Sequence, residues 1–160
     1  MKNLLLSSIF MAFLLSSVIA QTDLEFRHFN VTNQPIFGGN NFKAAAVTST
    51  GKIWVGSQYH GLVKYDPVTD TWTKSPDILD VSINDIKAAN NGGVWVGQSG
   101  RQLSQGGSNS VAGGVNYYPG PDFTGMQFYS VTSGGNLTSR NVRSVWVDET
   151  RKGPDGKMRI

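Results

Sequence analysis

No cysteine occurs anywhere in the 160 residues. Disulfides, thiolate catalysis and cysteine-ligated metals are thereby excluded, and the fold has to be held together by packing alone. Charge of one sign is also missing: 14 Lys and Arg stand against 11 Asp and Glu, with no basic run or stripe. That balance argues against a nucleic-acid partner. His28 and His60 are the two histidines of the sequence, and neither has carboxylates around it at metal-ligand spacing, so no metal and no cofactor are expected. No serine sits in a strained G-x-S-x-G elbow, and nothing singles out one carboxylate pair for glycoside hydrolysis. No catalytic residue is therefore assigned. Helical periodicity is absent as well, since no apolar stripe at a 3.6-residue period runs beyond two turns.

The one long apolar stretch is at the start. Leu4 to Leu15 follows Lys2, is broken only by Ser7 and Ser8, and leads to Val18-Ile19-Ala20. This is shorter than the roughly 20 apolar residues that span a bilayer. Residues 1–20 are therefore expected to be a cleavable secretory signal, leaving Gln21 as the mature N-terminus. No cysteine follows to carry a lipid, and the chain is expected to be exported.

What is plentiful is glycine, at 19 residues, together with eight Phe, five Tyr and four Trp among many Asn, Ser and Thr. Such a mixture makes short strands and tight turns, so the class is all-β. Within it, GKIWVG at 51–56 is repeated as GGVWVG at 92–97, with Trp54 and Trp95 lying 41 positions apart. Around the first copy, strands are expected at Lys43–Thr48, Ile53–Ser57, Leu62–Tyr65 and Thr71–Lys74, with a positive-φ glycine turn at Gly51. Alternation puts Trp54 on one face of its strand and Ile53 and Val55 on the other. The second copy reads as Asn84–Ala89, Val94–Gln98, Val115–Tyr118 and Gln127–Val131, turning at Asn90–Gly93. It carries a Gly/Ser/Asn/Gln-rich insertion at about 100–113. A third begins at Asn141 as NVRSVWVD, turns through Pro154–Lys157 and reaches Met158-Arg159-Ile160, one residue before the repeated tryptophan.

Four antiparallel strands every 40 residues or so are the signature of a β-propeller blade. Residues 21–160 are expected to form the N-terminal part of one such domain. Its parts would be a closure strand at 24–31, blade 1 at about 42–75, blade 2 at about 83–131 and half of blade 3 at about 141–160. A terminus inside a strand leaves backbone groups unpaired. The expectation is thus a fragment whose nearest partners are the remaining blades of the same polypeptide.

The copies AAAVTSTGKIWVGSQYHGLVKYDP, NDIKAANNGGVWVG with GGVNYYP, and NVRSVWVD with DGKMRI resemble the two-component regulator propeller repeat. The first copy is the most specific, since GKIWVG and GLVKYDP occur together at the family spacing. The second departs from the pattern at Gln98 and through its insertion. The Gly-His and Trp-Asp pairs of WD40 repeats are missing, and the kelch-like Gly113-Gly114 with Tyr117 and Tyr118 is not reproduced. The resemblance implies the periplasmic, ligand-sensing propeller of a bacterial sensor, seven-bladed, often responding to carbohydrate. A membrane segment and a histidine kinase would follow in the C-terminal region, and the full-length protein could act as a homodimer. Two alternatives stay open: a secreted structural propeller tied to a surface secretion system, and a propeller enzyme similar to streptogramin lyases.

Gly51, Trp54, Gly56, Gly61, Tyr65, Gly92, Trp95, Gly97, Gly114 and Tyr118 recur with the repeat, which assigns them to packing and turns, not to ligand stacking. Binding residues are sought in loops instead. In antiparallel blades the inter-blade connections and the loop between strands two and three emerge on one face, here 32–42, 58–60, 76–82, 99–113 and 132–140. They carry Tyr59, His60, Arg101, Gln102, Asn109, Asn136 and Arg140, an aromatic, amide and guanidinium set suited to a carbohydrate or other small polar ligand. An open array of blades leaves sheet faces uncovered. The isolated chain is expected to self-associate in sedimentation runs, and a cooperative melting transition of a monomer at low concentration contradicts the fragment reading.

Overall fold

The computed structural model describes residues 26–78, 82–100, 113–131, 137–152 and 158–159, and those residues form an all-β structure. Two four-stranded antiparallel sheets dominate. The first is ordered β1 (Phe42–Val47), β2 (Ile53–Ser57), β3 (Leu62–Asp66), β4 (Thr71–Lys74). The second is ordered β5 (Ser82–Ala88), β6 (Val94–Ser99), β7 (Gly114–Tyr118), β8 (Gln127–Tyr129). A separate pair joins β9 (Asp148–Lys152) to β10 (Met158–Arg159).

The repeat is visible bond by bond. In the first sheet Thr48 N donates to Lys52 O at 3.0 Å and Gly51 N to Thr48 O at 2.9 Å. In the second, Ala89 N donates to Gly93 O at 2.9 Å and Gly92 N to Ala89 O at 3.1 Å. Gly51 and Gly92 hold φ of 78° and 85°, a region where a side chain would strain the turn. The rungs correspond too: Trp54 lies between Ala46 and Lys64, and Trp95 between Lys87 and Tyr117.

Trp54 is fully buried where the two sheets face each other. Around it are Leu62, Ile83, Ile86, Val94, Val96 and Tyr118. Phe123, from the β7–β8 connection, closes this joint edge-on at 5.0 Å from Trp54 and 5.6 Å from Tyr118. Burial pushes the Tyr118 hydroxyl up to about 12, and it pairs at 2.9 Å with Ser75 Oγ. Trp95 repeats the arrangement one sheet further on, stacked on Tyr117 at 4.1 Å and packed with Val115 and Val145. Two residues beyond each tryptophan, on the same face, stands a glycine. A Cβ on Gly56 would lie 2.2 Å from Ile83 Cγ2, and one on Gly97 would lie 2.9 Å from Val145 Cγ2. Tyr65, in turn, packs on the opposite face of the first sheet, against Trp72 and Phe29.

Two stretches of the described chain, 26–30 and 142–147, form no strand. Residues 26–30 of the anticipated closure strand take no ladder bonds. Asn30 Oδ1 accepts instead from Thr32 N at 2.8 Å and Asn33 N at 3.1 Å, which turns the chain. The segment is clasped to the first sheet by the Arg27–Asp70 ion pair at 3.0 Å and by Arg27 donating to the Tyr65 hydroxyl at 2.8 Å. In the third copy, Asn141 makes a single bridge to Ser99 and residues 142–147 form no strand; the strand begins at Asp148. The amides that a ladder would use are taken by the second sheet: Val142 N donates to Gln98 O at 3.3 Å and Val145 N to Asp85 Oδ2 at 2.9 Å. The turn expected at 154–157 lies outside the described residues.

Gly56→Val is expected to cost about 1–3 kcal/mol, because the added methyls must displace Ile83 from a packed joint. Chemical denaturation against wild type measures this, with Val55→Ala on the opposite face of the same strand as the reference substitution.

Candidate functional site

The loop between β2 and β3 is locked from inside. Ser57, itself buried, accepts from His60 N at 2.8 Å through its hydroxyl, while its own amide donates to Gly61 O at 3.0 Å. Gly61 completes the tight bend at φ 78°. This places the His60 imidazole flat against the backbone of the preceding connection: a Cβ on Gly39 would come within 2.6 Å of Nε2. Gln58 N donates to Asn41 O at 2.8 Å and joins the two segments a second time. Tyr59 stays 49 % exposed, its hydroxyl accepting from Gln58 Nε2 at 2.8 Å. The loops 32–42 and 58–60 therefore meet at one end of the first sheet, as strand topology requires.

The corresponding end of the second sheet is built by different segments. Gly100 N donates to Arg140 O at 3.1 Å, and Asn141 bridges Ser99, so the connection after 137 joins the start of the insertion. Gly113, where the chain returns, is pressed onto the same Arg140 carbonyl, and Gly114 begins β7 against Tyr129 O. The Arg140 side chain is exposed. Of the residues chosen from sequence, Tyr59 and His60 are together in one loop and Arg140 lies at the second sheet. Arg101, Gln102, Asn109 and Asn136 fall outside the described residues.

Between these two ends is a polar corner that sequence reasoning missed. Lys43 Nζ is 3.2 Å from Ser82 Oγ, and Asn84 Nδ2 donates to Ser99 Oγ at 2.6 Å. A signal was available: the three copies open with Lys43, Asn84 and Asn141, polar each time but unlike in type.

Asp85, next along β5, ties the second sheet to the following segment. Its Oδ2 accepts from Ser144 Oγ at 2.7 Å and from Val145 N, and its Oδ1 from Lys87 Nζ at 3.1 Å. Burial alone would raise this carboxyl, but the Val145 amide, the Ser144 hydroxyl and Lys87 outweigh it and hold the group below its ordinary value. Among the described residues no cluster of three His, Cys, Asp or Glu could hold a metal ion. Nor is any helix among them long and apolar enough to cross a membrane.

Among the described residues these features define an all-β arrangement of two packed four-stranded antiparallel sheets and one two-stranded pair, with polar loops at sheet ends. No protein-family model, no curated protein and no solved structure matches the chain.

A carboxyl depressed on folding stabilises the fold above its unfolded value, here 3.8, and loses that contribution as pH falls through its folded value. Asp85→Asn is thus expected to destabilise the chain at neutral pH, with the gap to wild type closing below about pH 4. Urea denaturation midpoints measured across that range check this.

Proposed function

We propose that the chain is the blade-bearing part of an extracytoplasmic ligand-sensing β-propeller from a two-component sensor, and that it binds a carbohydrate or similarly small polar ligand. One observation carries the reading: the Tyr59–His60 loop and the Gly38–Gly39 connection converge at a single sheet end, next to a polar corner. Such an end offers an aromatic face, an imidazole and hydroxyl or amide groups on rigid strands. Polar groups that are few and pre-positioned are what orient a hydroxyl-rich ligand. The recurring Trp-x-Gly joints support the propeller, since each sheet uses the same device to receive its neighbour. The role of these residues is binding and not catalysis. Residues 1–20 serve in this reading as the export signal, which puts the loop face on the periplasmic side.

A panel of neutral and acidic disaccharides titrated into the full chain tests the proposal. At least one is expected to bind, and His60→Ala combined with Arg140→Ala is expected to weaken it by about tenfold or more, equivalent to about 1.4 kcal/mol. Binding unchanged in that double variant, with its fold intact by circular dichroism, removes the loop face from consideration.

A further inference from the structure

The two inner strands lose register at matching places, β1 between Phe42 and Ala44 and β5 between Ile83 and Asp85. A bulge re-aims the side chain it carries, and the residues carried here are Lys43 and Asn84. They meet across the sheets: Lys43 Nζ lies 3.2 Å from Ser82 Oγ and 3.5 Å from Asn84 Oδ1. The orientation of the Asn84 amide is fixed chemically. Its Nδ2 faces the Val142 carbonyl at 2.7 Å, a group that can only accept, so Oδ1 must face Lys43. The same nitrogen donates to Ser99 Oγ at 2.6 Å, and Oδ1 also accepts from the Ser82 hydroxyl at 3.3 Å. With both donors and both acceptor positions used, the amide is a fixed post with Lys43 on one side and Ser99 on the other.

Two donors remain at this post. The Lys43 ammonium is exposed and has a third proton beyond those facing Ser82 and Asn84. It takes no part in the ion pairs among the described residues, which join Arg27 to Asp70, Lys52 to Asp66 and Lys87 to Asp85. Ser99 Oγ accepts from Asn84, which leaves its own proton for another acceptor. One cation and one hydroxyl donor flanking a neutral amide match a single negative charge shared by two oxygens. We propose that this corner binds the carboxylate of a hydroxyl-bearing small molecule, with Lys43 as counter-ion and Ser99 as second donor. A phosphate monoester carries nearly twice that charge and would meet the one cation only. Lys43 is adjacent to the Phe42–Ser57 rung from which the Tyr59–His60 loop departs. The inference therefore rests on the loop-face reading and adds to it the charge and functional group of the ligand.

The test uses the full chain and three probes: D-glucuronate, D-glucose and inorganic phosphate, each titrated by calorimetry or by chemical-shift changes. Glucuronate is expected to bind at least tenfold more tightly than glucose, and phosphate no more tightly than glucose. Lys43→Met should reduce glucuronate affinity about tenfold and leave glucose unchanged. Lys43→Arg should retain most of the affinity, and Ser99→Ala should lose a smaller part. Equal affinity for glucuronate and glucose overturns the carboxylate assignment, and so does a Lys43→Met protein that binds as wild type. If glucose binding nonetheless depends on His60, the loop-face reading survives that failure. Phosphate binding as tight as glucuronate reduces the corner to general anion attraction. Binding of neither sugar rejects the carboxylate site and counts against the loop face as well.

Discussion

A single methyl group on Gly56 would sit 2.2 Å from Ile83 Cγ2, and the stacking of the first sheet on the second depends on that space staying empty. Trp54, two residues earlier on the same face, supplies the opposite requirement: a large ring wholly withdrawn from water between the sheets. A bulky residue followed at i+2 by none at all makes a step into which the inner strand of the next sheet fits. Trp95 and Gly97 make the same step for Val142 and Val145. The rest of the architecture follows. Once β5 is seated against β1 and β2, the connections on either side of it are carried to common ends, and Lys43 reaches Ser82 across the joint.

Much of this was legible in the sequence because the decisive residues act locally. Gly51 and Gly92 fix turns, and Trp54 alternates with half-exposed Ile53 and Val55 while Trp95 stands between buried Val94 and Val96 in a repeat of the same motif, so eight strands could be placed from period and punctuation alone. Where residues 26–30 and 142–147 form no strand, other hydrogen-bond partners take their backbone groups. Residues 26–30 belong to the expected closure stretch 24–31, and there Asn30 and Asn33 turn the chain with side-chain bonds that no apolar pattern encodes. The stretch after Asn141 has the same pattern as β5, but Asp85 and Gln98 reach over from the second sheet and take its amides. Long-range competition of this kind is invisible to a window of ten residues.

The candidate site divides along the same line. Tyr59 and His60 could be chosen from loop position, since antiparallel connectivity decides which end a loop occupies. For Lys43, Asn84 and Ser99 the signal is weak, because their meeting depends on two bulges and on the packing of one sheet against the next. Repetition itself hid them: a position that changes chemical type from copy to copy looks like noise beside an invariant Trp-Val-Gly. In a repeated fold, however, identical residues serve the joints and the differing ones distinguish one sheet from the next.

The two ends of the sheets are also unequal in what changes they can absorb. At the turn end, Ser49 Oγ reaches the Asn90 carbonyl at 3.5 Å, and Gly92 leaves only enough room for Thr50 above it. Lengthening either turn would push the sheets apart and disturb every rung behind it. The other end begins where ladders have already finished, and there the second copy accommodates an insertion of about 100–113 with β6 and β7 still in register. Variation in length is thus channelled to one rim of the structure, where loops change without renegotiating how the sheets pack.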